Sequence, residues 1–171
     1  MVSDLAGVTF TALRPIHDDR GVLTEVFRTD IHDATPVQWN VVTSRRNVVR
    51  GFHAHLVHED FLTVVQGSML LGLFDLRLPS PTFGRSEVVR MLAGDSLVRI
   101  PIGVGHVFCF DEEATIAYGV TDYWNQRDEL GCRWDDPGLG LDLPVTDPIL
   151  SERDRNAGPL SDLMNAFAPA I

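Results

Sequence analysis

Along the chain, apolar and polar positions alternate in short runs interrupted by turn residues. The runs are VTFTAL, GVLTEVF, VQWNVVTS, VVRGFHAH, FLTVVQG, SMLLGLFDLRL, EVVRML, SLVRIPI, HVFCF and TIAYGVTDYW. They are rich in Val, Ile, Leu, Phe and Thr, and the breaks between them, such as DDRG, LPSPTFG, LAGD and PIGVG, carry Gly, Pro and Asp. A period of two bounded by such punctuation predicts β-strands, about ten of them. No long helical periods lie between the runs, so the strands are expected to pair antiparallel in an all-β sandwich or barrel. Helical spacing occurs only in the tail after about Ser151, where Leu160, Leu163, Met164 and Phe167 can share one face. No internal repeat is visible. A single domain over residues 1–171 is expected, with a barrel over roughly 10–145 and a C-terminal tail over roughly 146–171.

Composition narrows the function. A chain of 171 residues with 44% hydrophobic content can bury one substantial core. It lacks an apolar run long enough to span a bilayer, and MVSDLAGVTF lacks the basic-then-apolar layout of a secretory signal. A cytoplasmic protein without a membrane partner is the expectation. Cys109 and Cys132 have neither metal-type nor CxxC spacing, which fits a reducing compartment. A net charge of −10 argues against nucleic acid as a partner, because a polyphosphate needs many cations along one face. All fourteen basic residues are arginine. Schiff-base, P-loop-lysine and lysine-base chemistries are therefore excluded. Arg45, Arg46 and Arg50 form a local cationic cluster suited to phosphate or to balancing nearby acids.

The densest chemistry lies at residues 50–59, RGFHAHLVHE, which holds three of the six histidines. On a strand His53 and His55 point the same way, and Phe52 and Ala54 the other. Glu59 follows, and GDSLVRIPIGVGH later delivers His106 after a Pro/Gly turn. Three readings are open for these residues. As metal ligands, His53, His55, Glu59 and His106 suit iron, manganese, nickel or zinc. As acid/base catalysts, the imidazoles titrate near neutral pH. As packing, they are histidines satisfied by hydrogen bonds inside a barrel.

HxHxxxE followed by GxxxxxxPxGxxH resembles the two motifs of the cupin superfamily, whose fold is a small antiparallel β-barrel or jelly roll. Further segments narrow the resemblance: DDRGVLTEVF, QWN, RGFH, FDLRLPSPTFG, IPIGVGHVF, YGVTDYW, RWDDPGLGLDLP and ILSERD. Together they resemble the dTDP-4-dehydrorhamnose 3,5-epimerases, RmlC-like enzymes that invert carbons beside the 4-keto group of a nucleotide-linked deoxysugar. The resemblance implies an isomerase without a cofactor, acting on a dTDP-4-keto-6-deoxyhexose and assembled as a homodimer. It places His53 as catalytic base, Asp154 as the carboxylate that orients that imidazole, and Tyr118 as the acid returning a proton from the opposite face. A C–H beside a ketone becomes removable once the enolate oxygen is stabilised, and inversion needs a second donor across the ring. The resemblance points to Arg20, Glu25, Gln38, Asn40 and Arg50 for the nucleotide, Trp124 for base stacking, and Asp75 and His106 for the sugar pocket. Trp134 is expected to pack in the core, with Asp135 and Asp136 in a turn.

Two features depart from the family pattern. The family's enolate-stabilising lysine is absent, and Asp60 stands nearest its position in a shortened loop. A carboxylate there opposes a growing oxyanion unless it is protonated or turned away. His55, His106 or a metal are the candidate replacements. RGFHAH, with Gly67 beyond it, also resembles the related dTDP-4-keto-6-deoxyglucose 3,4-ketoisomerases, which use two strand histidines. The C-terminal segments RWDDPGLGLDLP and ILSERD favour the epimerase. A metal-dependent cupin and a non-catalytic sugar-binding module are the readings outside this chemistry.

Overall fold

A computed structural model describes residues 2–168. The strands in chain order are β1 (Thr9–Ala12), β2 (Ile16–Asp18), β3 (Gly21–Leu23), β4 (Gln38–Ser44), β5 (Val49–Ala54) and β6 (Asp60–Gln66). They continue as β7 (Ser68–Asp75), β8 (Ser86–Leu92), β9 (Ser96–Ile100), β10 (Val104–Cys109), β11 (Ala114–Val120) and β12 (Leu130–Gly131). Two short helices close the chain, α1 (Glu152–Arg155) and α2 (Leu160–Phe167). Each expected strand has a counterpart, with two shortened. GVLTEVF pairs only over Gly21–Leu23, and TIAYGVTDYW leaves the sheet after Val120.

Two antiparallel sheets face each other, ordered β1-β9-β6-β11-β4 and β12-β5-β10-β7-β8, and β2–β3 forms a separate hairpin. Strand alternation sorts side chains onto the two faces of each sheet. On β7, Met69, Leu71 and Leu73 point between the sheets, and Leu70 and Phe74 point outside. The inner set joins Leu62, Val64, Val98, Ile100 and Ile116 in the main core. The outer set is covered by the tail, through Leu139, Leu160, Leu163 and Phe167, so β7 is buried along its whole length. That double cover explains why SMLLGLFD reads as a continuous apolar run. Trp134 packs against this second core as expected, and Asp136 accepts from the backbone N–H of Gly138 and Leu160, starting the tail's first turn.

Gly105 permits the close approach of β10 to β5. A Cβ there would lie 2.2 Å from two ring carbons of Phe52. Its absence lets Phe52 fill the outer core and leaves the inward position to His53.

Asp75 corrects an expectation. It does not line a sugar pocket: its carboxylate is fully buried in the turn after β7, accepting from Arg77 Nε (2.8 Å), Ser80 Oγ (2.5 Å) and Thr82 Oγ1 (2.6 Å). Burial raises its pKa, but these donors outweigh it and hold the carboxyl at about 2. The group is ordinarily near 3.8, so its stabilisation is present above that pH and is lost as pH falls toward about 2. Asp75→Asn is expected to cost about 2 kcal/mol near neutrality, with the difference from wild type shrinking below about pH 4, read by chemical denaturation across pH.

Candidate active site

A cavity of about 370 Å³ opens between the sheets and borders the aliphatic core at Phe108 and Ile116. Inward positions of five strands supply its walls: Asn40 on β4, His53 on β5, Asp60 on β6, His106 on β10 and Tyr118 on β11. His53 and His106 are register partners on adjacent strands, with ring centroids 6.3 Å apart. His106 stacks on Phe108 at 4.9 Å, where the polar end of the barrel meets the apolar core. His53 and Tyr118 come from opposite sheets and so face the cavity from opposite walls.

The tail completes the cavity. Ser151 caps α1 by accepting from the backbone N–H of Asp154 at 3.0 Å, so Asp154 is not the cap but a first-turn residue with a free carboxylate. That carboxylate is buried and its Oδ1 lies 2.7 Å from His53 Nε2. Burial raises the Asp154 pKa, but the hydrogen bond and charge of His53 outweigh it and hold the carboxyl below its usual range. An ionised carboxylate only accepts, so Nε2 carries the proton and Nδ1 of His53 is the nitrogen with a free lone pair. This pair has the logic of a catalytic dyad, a buried carboxylate fixing the tautomer of a base.

Tyr118 is half-buried, and burial followed by the nearby Asp60 and Glu129 carboxyls raises its hydroxyl pKa. It is therefore a protonated donor at neutral pH. Asp60 is buried in the cavity wall, and burial, with Glu129, Asp128 and Glu59 around it, pushes its carboxyl well above the usual range. A shift in that direction favours the protonated form, which does not oppose an oxyanion as an ionised carboxylate does. Burial likewise pulls His55 down to about 4 and His106 well below its ordinary range.

The expected nucleotide residues divide. Arg50 lines the cavity and donates from Nε to Ser44 Oγ (2.9 Å), and Trp124 stands at its rim, 53% exposed. Gln38 does not line the cavity but orients two residues that do. Its Nε2 donates to Asn40 Oδ1 (3.1 Å), and its Oε1 accepts from the Trp124 backbone N–H (3.1 Å). Arg20 and Glu25 do not reach the cavity of their own chain. Arg20 projects from the β2–β3 hairpin with its side chain 90% exposed and paired to Asp18, and Glu25 lines a separate groove with Phe27 and His32.

Glu59 is a further correction. Strand alternation on β6 sends Asp60 and Leu62 inward, which turns Glu59 outward with Phe61. There Arg99 holds both Glu59 oxygens at 2.9 Å. The proposed ligand set of His53, His55, Glu59 and His106 is therefore not assembled, since Glu59 faces away from the cavity.

Three titratable cavity residues had no sequence-level assignment, His58, Glu129 and Arg153, and neither did Asp128 beside them. Arg153 pairs with Glu129 at 2.7 Å and flanks Asp154. His58 stacks on His55 with centroids 4.0 Å apart. His58 was visible as the third histidine of RGFHAHLVHE, and Arg153 sits inside ILSERD. Asp128 and Glu129 lie in an ordinary acidic loop, NQRDEL, that carries no local signal.

Known proteins share this fold and much of this sequence. The family model described as dTDP-4-dehydrorhamnose 3,5-epimerase matches residues 3–162. A dTDP-4-dehydrorhamnose 3,5-epimerase of Pseudomonas aeruginosa is 33% identical over 160 residues, 87% of this chain and 88% of that protein. One from Neisseria gonorrhoeae is 35% identical over 147 residues, 80% of this chain, which spans only 45% of that longer relative. The crystal structure of ChmJ, a 3'-monoepimerase from Streptomyces bikiniensis in complex with dTDP-quinovose, superposes with a TM-score of 0.87 at 30% identity, covering 96% of this chain and 89% of that one. With the two-sheet barrel, the histidine–aspartate pair in its cavity and a family match over nearly the whole sequence, the chain belongs to the dTDP-4-dehydrorhamnose 3,5-epimerase family, isomerases of the cupin fold.

Proposed function

We propose that this isomerase inverts C3, C5 or both of a dTDP-4-keto-6-deoxyhexose, with His53 as base and Tyr118 as the opposing acid. The observation that carries the reading is the 2.7 Å contact between His53 and a buried Asp154, in a cavity whose other wall presents Tyr118. The imidazole removes the proton beside the ketone through Nδ1, and the tyrosine hydroxyl returns one from the opposite face. Arg50 counters a phosphate charge, and Trp124 offers a face for the base, a contact of about 1–3 kcal/mol.

The reading includes a homodimer in the cytoplasm. Ile16, Val22 and Leu23 on the hairpin and Trp39 and Val41 on β4 are exposed, and a lone two-stranded hairpin is marginal in water. A second copy packed there covers this surface. It is also the route by which Arg20 and Glu25 reach a nucleotide, in a cavity other than that of their own chain. The cytoplasmic part is supported by two free, buried cysteines, and no helix among the described residues is long and apolar enough to cross a membrane.

Incubation with dTDP-4-keto-6-deoxyglucose in heavy water, followed by NMR, tests the reaction. Deuterium entering at C3 or C5 is expected. A 3-keto product instead identifies the ketoisomerase, and no exchange at all removes the epimerase reading. Tyr118→Phe is expected to retain exchange at the His53-facing position and to lower formation of the inverted product by about 10²-fold, because the abstracting base remains and the second donor is gone.

A further inference from the structure

The cavity wall beside the dyad holds a group of donors that proton transfer by His53 and Tyr118 leaves unused. We infer that His55, Asp60 and His106 form a binding site for a divalent transition-metal ion of the zinc, iron, cobalt, nickel or manganese class. Each offers one ligand atom, these atoms lie within 4.8 Å of one another, and all three residues are buried.

The hydrogen bonds set the imidazoles for this role. His55 Nδ1 lies 3.1 Å from the backbone carbonyl of Asp128, which can only accept, so Nδ1 is protonated and Nε2 keeps its lone pair. That Nε2 is 3.8 Å from Asp60 Oδ2. Two atoms on one ion at about 2.1 Å each lie at most about 4.2 Å apart, so the pair is within a single ion's span. His58 repeats the arrangement, with Nδ1 3.1 Å from Asp128 Oδ2 and Nε2 3.9 Å from Asp60 Oδ1. Asp128 also accepts from the backbone N–H of Leu56 (2.8 Å) and Val57 (3.2 Å), which fixes it as the outer support of both rings. Ligating histidines are characteristically held this way, by a carboxylate or carbonyl on the far ring nitrogen.

His106 supplies the independent sign of a ligand. Its ring is buried, and Nδ1 has no hydrogen-bond partner among the described residues. Two neutral imidazoles with one carboxylate, Asp60 releasing its proton to solvent as the ion binds, are the donor set of two-histidine, one-carboxylate sites, which leave open positions on the metal. Here His55, His58, Asp60 and His106 all line the cavity, so open positions would face its interior. The set excludes both His53 and Glu59, the latter held by Arg99 outside the barrel. A role for the ion rests on the proposed function: it would place positive charge near the 4-keto oxygen in a chain that has no lysine to do so.

Untagged protein, stripped with a chelator and dialysed, is titrated with Co²⁺ followed by its d–d absorption and with Zn²⁺ followed by calorimetry. One equivalent of Co²⁺, displaced by one of Zn²⁺, is expected. Asp60→Asn, His106→Gln and His55→Gln, each checked for wild-type circular dichroism, are expected to weaken binding at least about 10-fold, since each removes one of the three ligand atoms. His53→Asn is expected to bind as wild type. Sub-stoichiometric binding, or binding that folded Asp60→Asn and His106→Gln proteins retain in full, overturns the site. If neither variant folds, His55→Gln decides by the same measure. Stoichiometric binding without solvent exchange in the sugar leaves the site standing and removes the epimerase reading. Exchange at an undiminished rate in stripped protein removes only the ion's role.

Discussion

His53→Asn is expected to lower deuterium incorporation at the carbon beside the ketone by at least about 10³-fold, within the range general-base catalysis supplies. Asparagine is polar and smaller than histidine, so it fits the cavity wall without a clash, and a wild-type circular dichroism spectrum checks that the barrel is retained. It has no nitrogen lone pair with which to take a proton. Single-turnover exchange in heavy water is the measurement, because it sees abstraction even where the product does not accumulate. Exchange at the wild-type rate would remove His53 from the reaction and, with it, the reason for the dyad. The nucleotide should still bind, since Arg50 and Trp124 stand elsewhere on the cavity wall.

Asp154→Asn is expected to reduce kcat by roughly 10²- to 10⁴-fold with a smaller change in KM, by the tautomer argument that applies to an aspartate behind a catalytic histidine. The neutral amide can turn its NH₂ toward His53 Nε2. That shifts the imidazole proton to Nδ1, and the lone pair that should accept the substrate proton is lost. The helix itself is preserved, because the cap runs from the backbone N–H of residue 154 to Ser151 Oγ. A role confined to packing the tail predicts the opposite pattern, lower stability with unchanged kcat. The two are separated by measuring the unfolding midpoint and the rate on one preparation. Glu129 and Arg153 flank the dyad, so a residual rate that varies with Arg153 substitution would show how much of the field they set.

Most strands were legible because a period of two with glycine, proline and aspartate at the breaks is a local property, as in QWNVVTS and SLVRIPI. The dyad was legible through family motifs, and folding brings together His53 and Asp154, 101 residues apart in the chain. Asp60 shows the limit. Its type and position raised an electrostatic objection, and only its burial among other carboxyls, which favours the protonated form, answers it. Glu59 failed as a ligand for a geometric reason, since one step along a strand exchanges inside for outside. Asp75 failed because its carboxylate is taken up by Arg77, Ser80 and Thr82 within the turn that LPSPTFG marks, and a turn signal does not say which side chain its donors will hold.

By itself the sequence determined an all-β antiparallel barrel, a helical tail packed by Leu160, Leu163 and Phe167, and histidine-based chemistry in a chain without lysine. The strand pattern and the tail follow from periodicity and the missing lysine from composition, all carried by neighbouring residues, while the barrel and the histidine chemistry came through the family motifs. Only the tertiary structure decided that Asp154 reaches His53, that Arg20 and Glu25 stay outside their own cavity, and that Asp128 supports His55 and His58 beside Asp60. These are contacts between distant segments, set by which strand faces meet across the barrel and where the tail crosses it, and no local pattern encodes them.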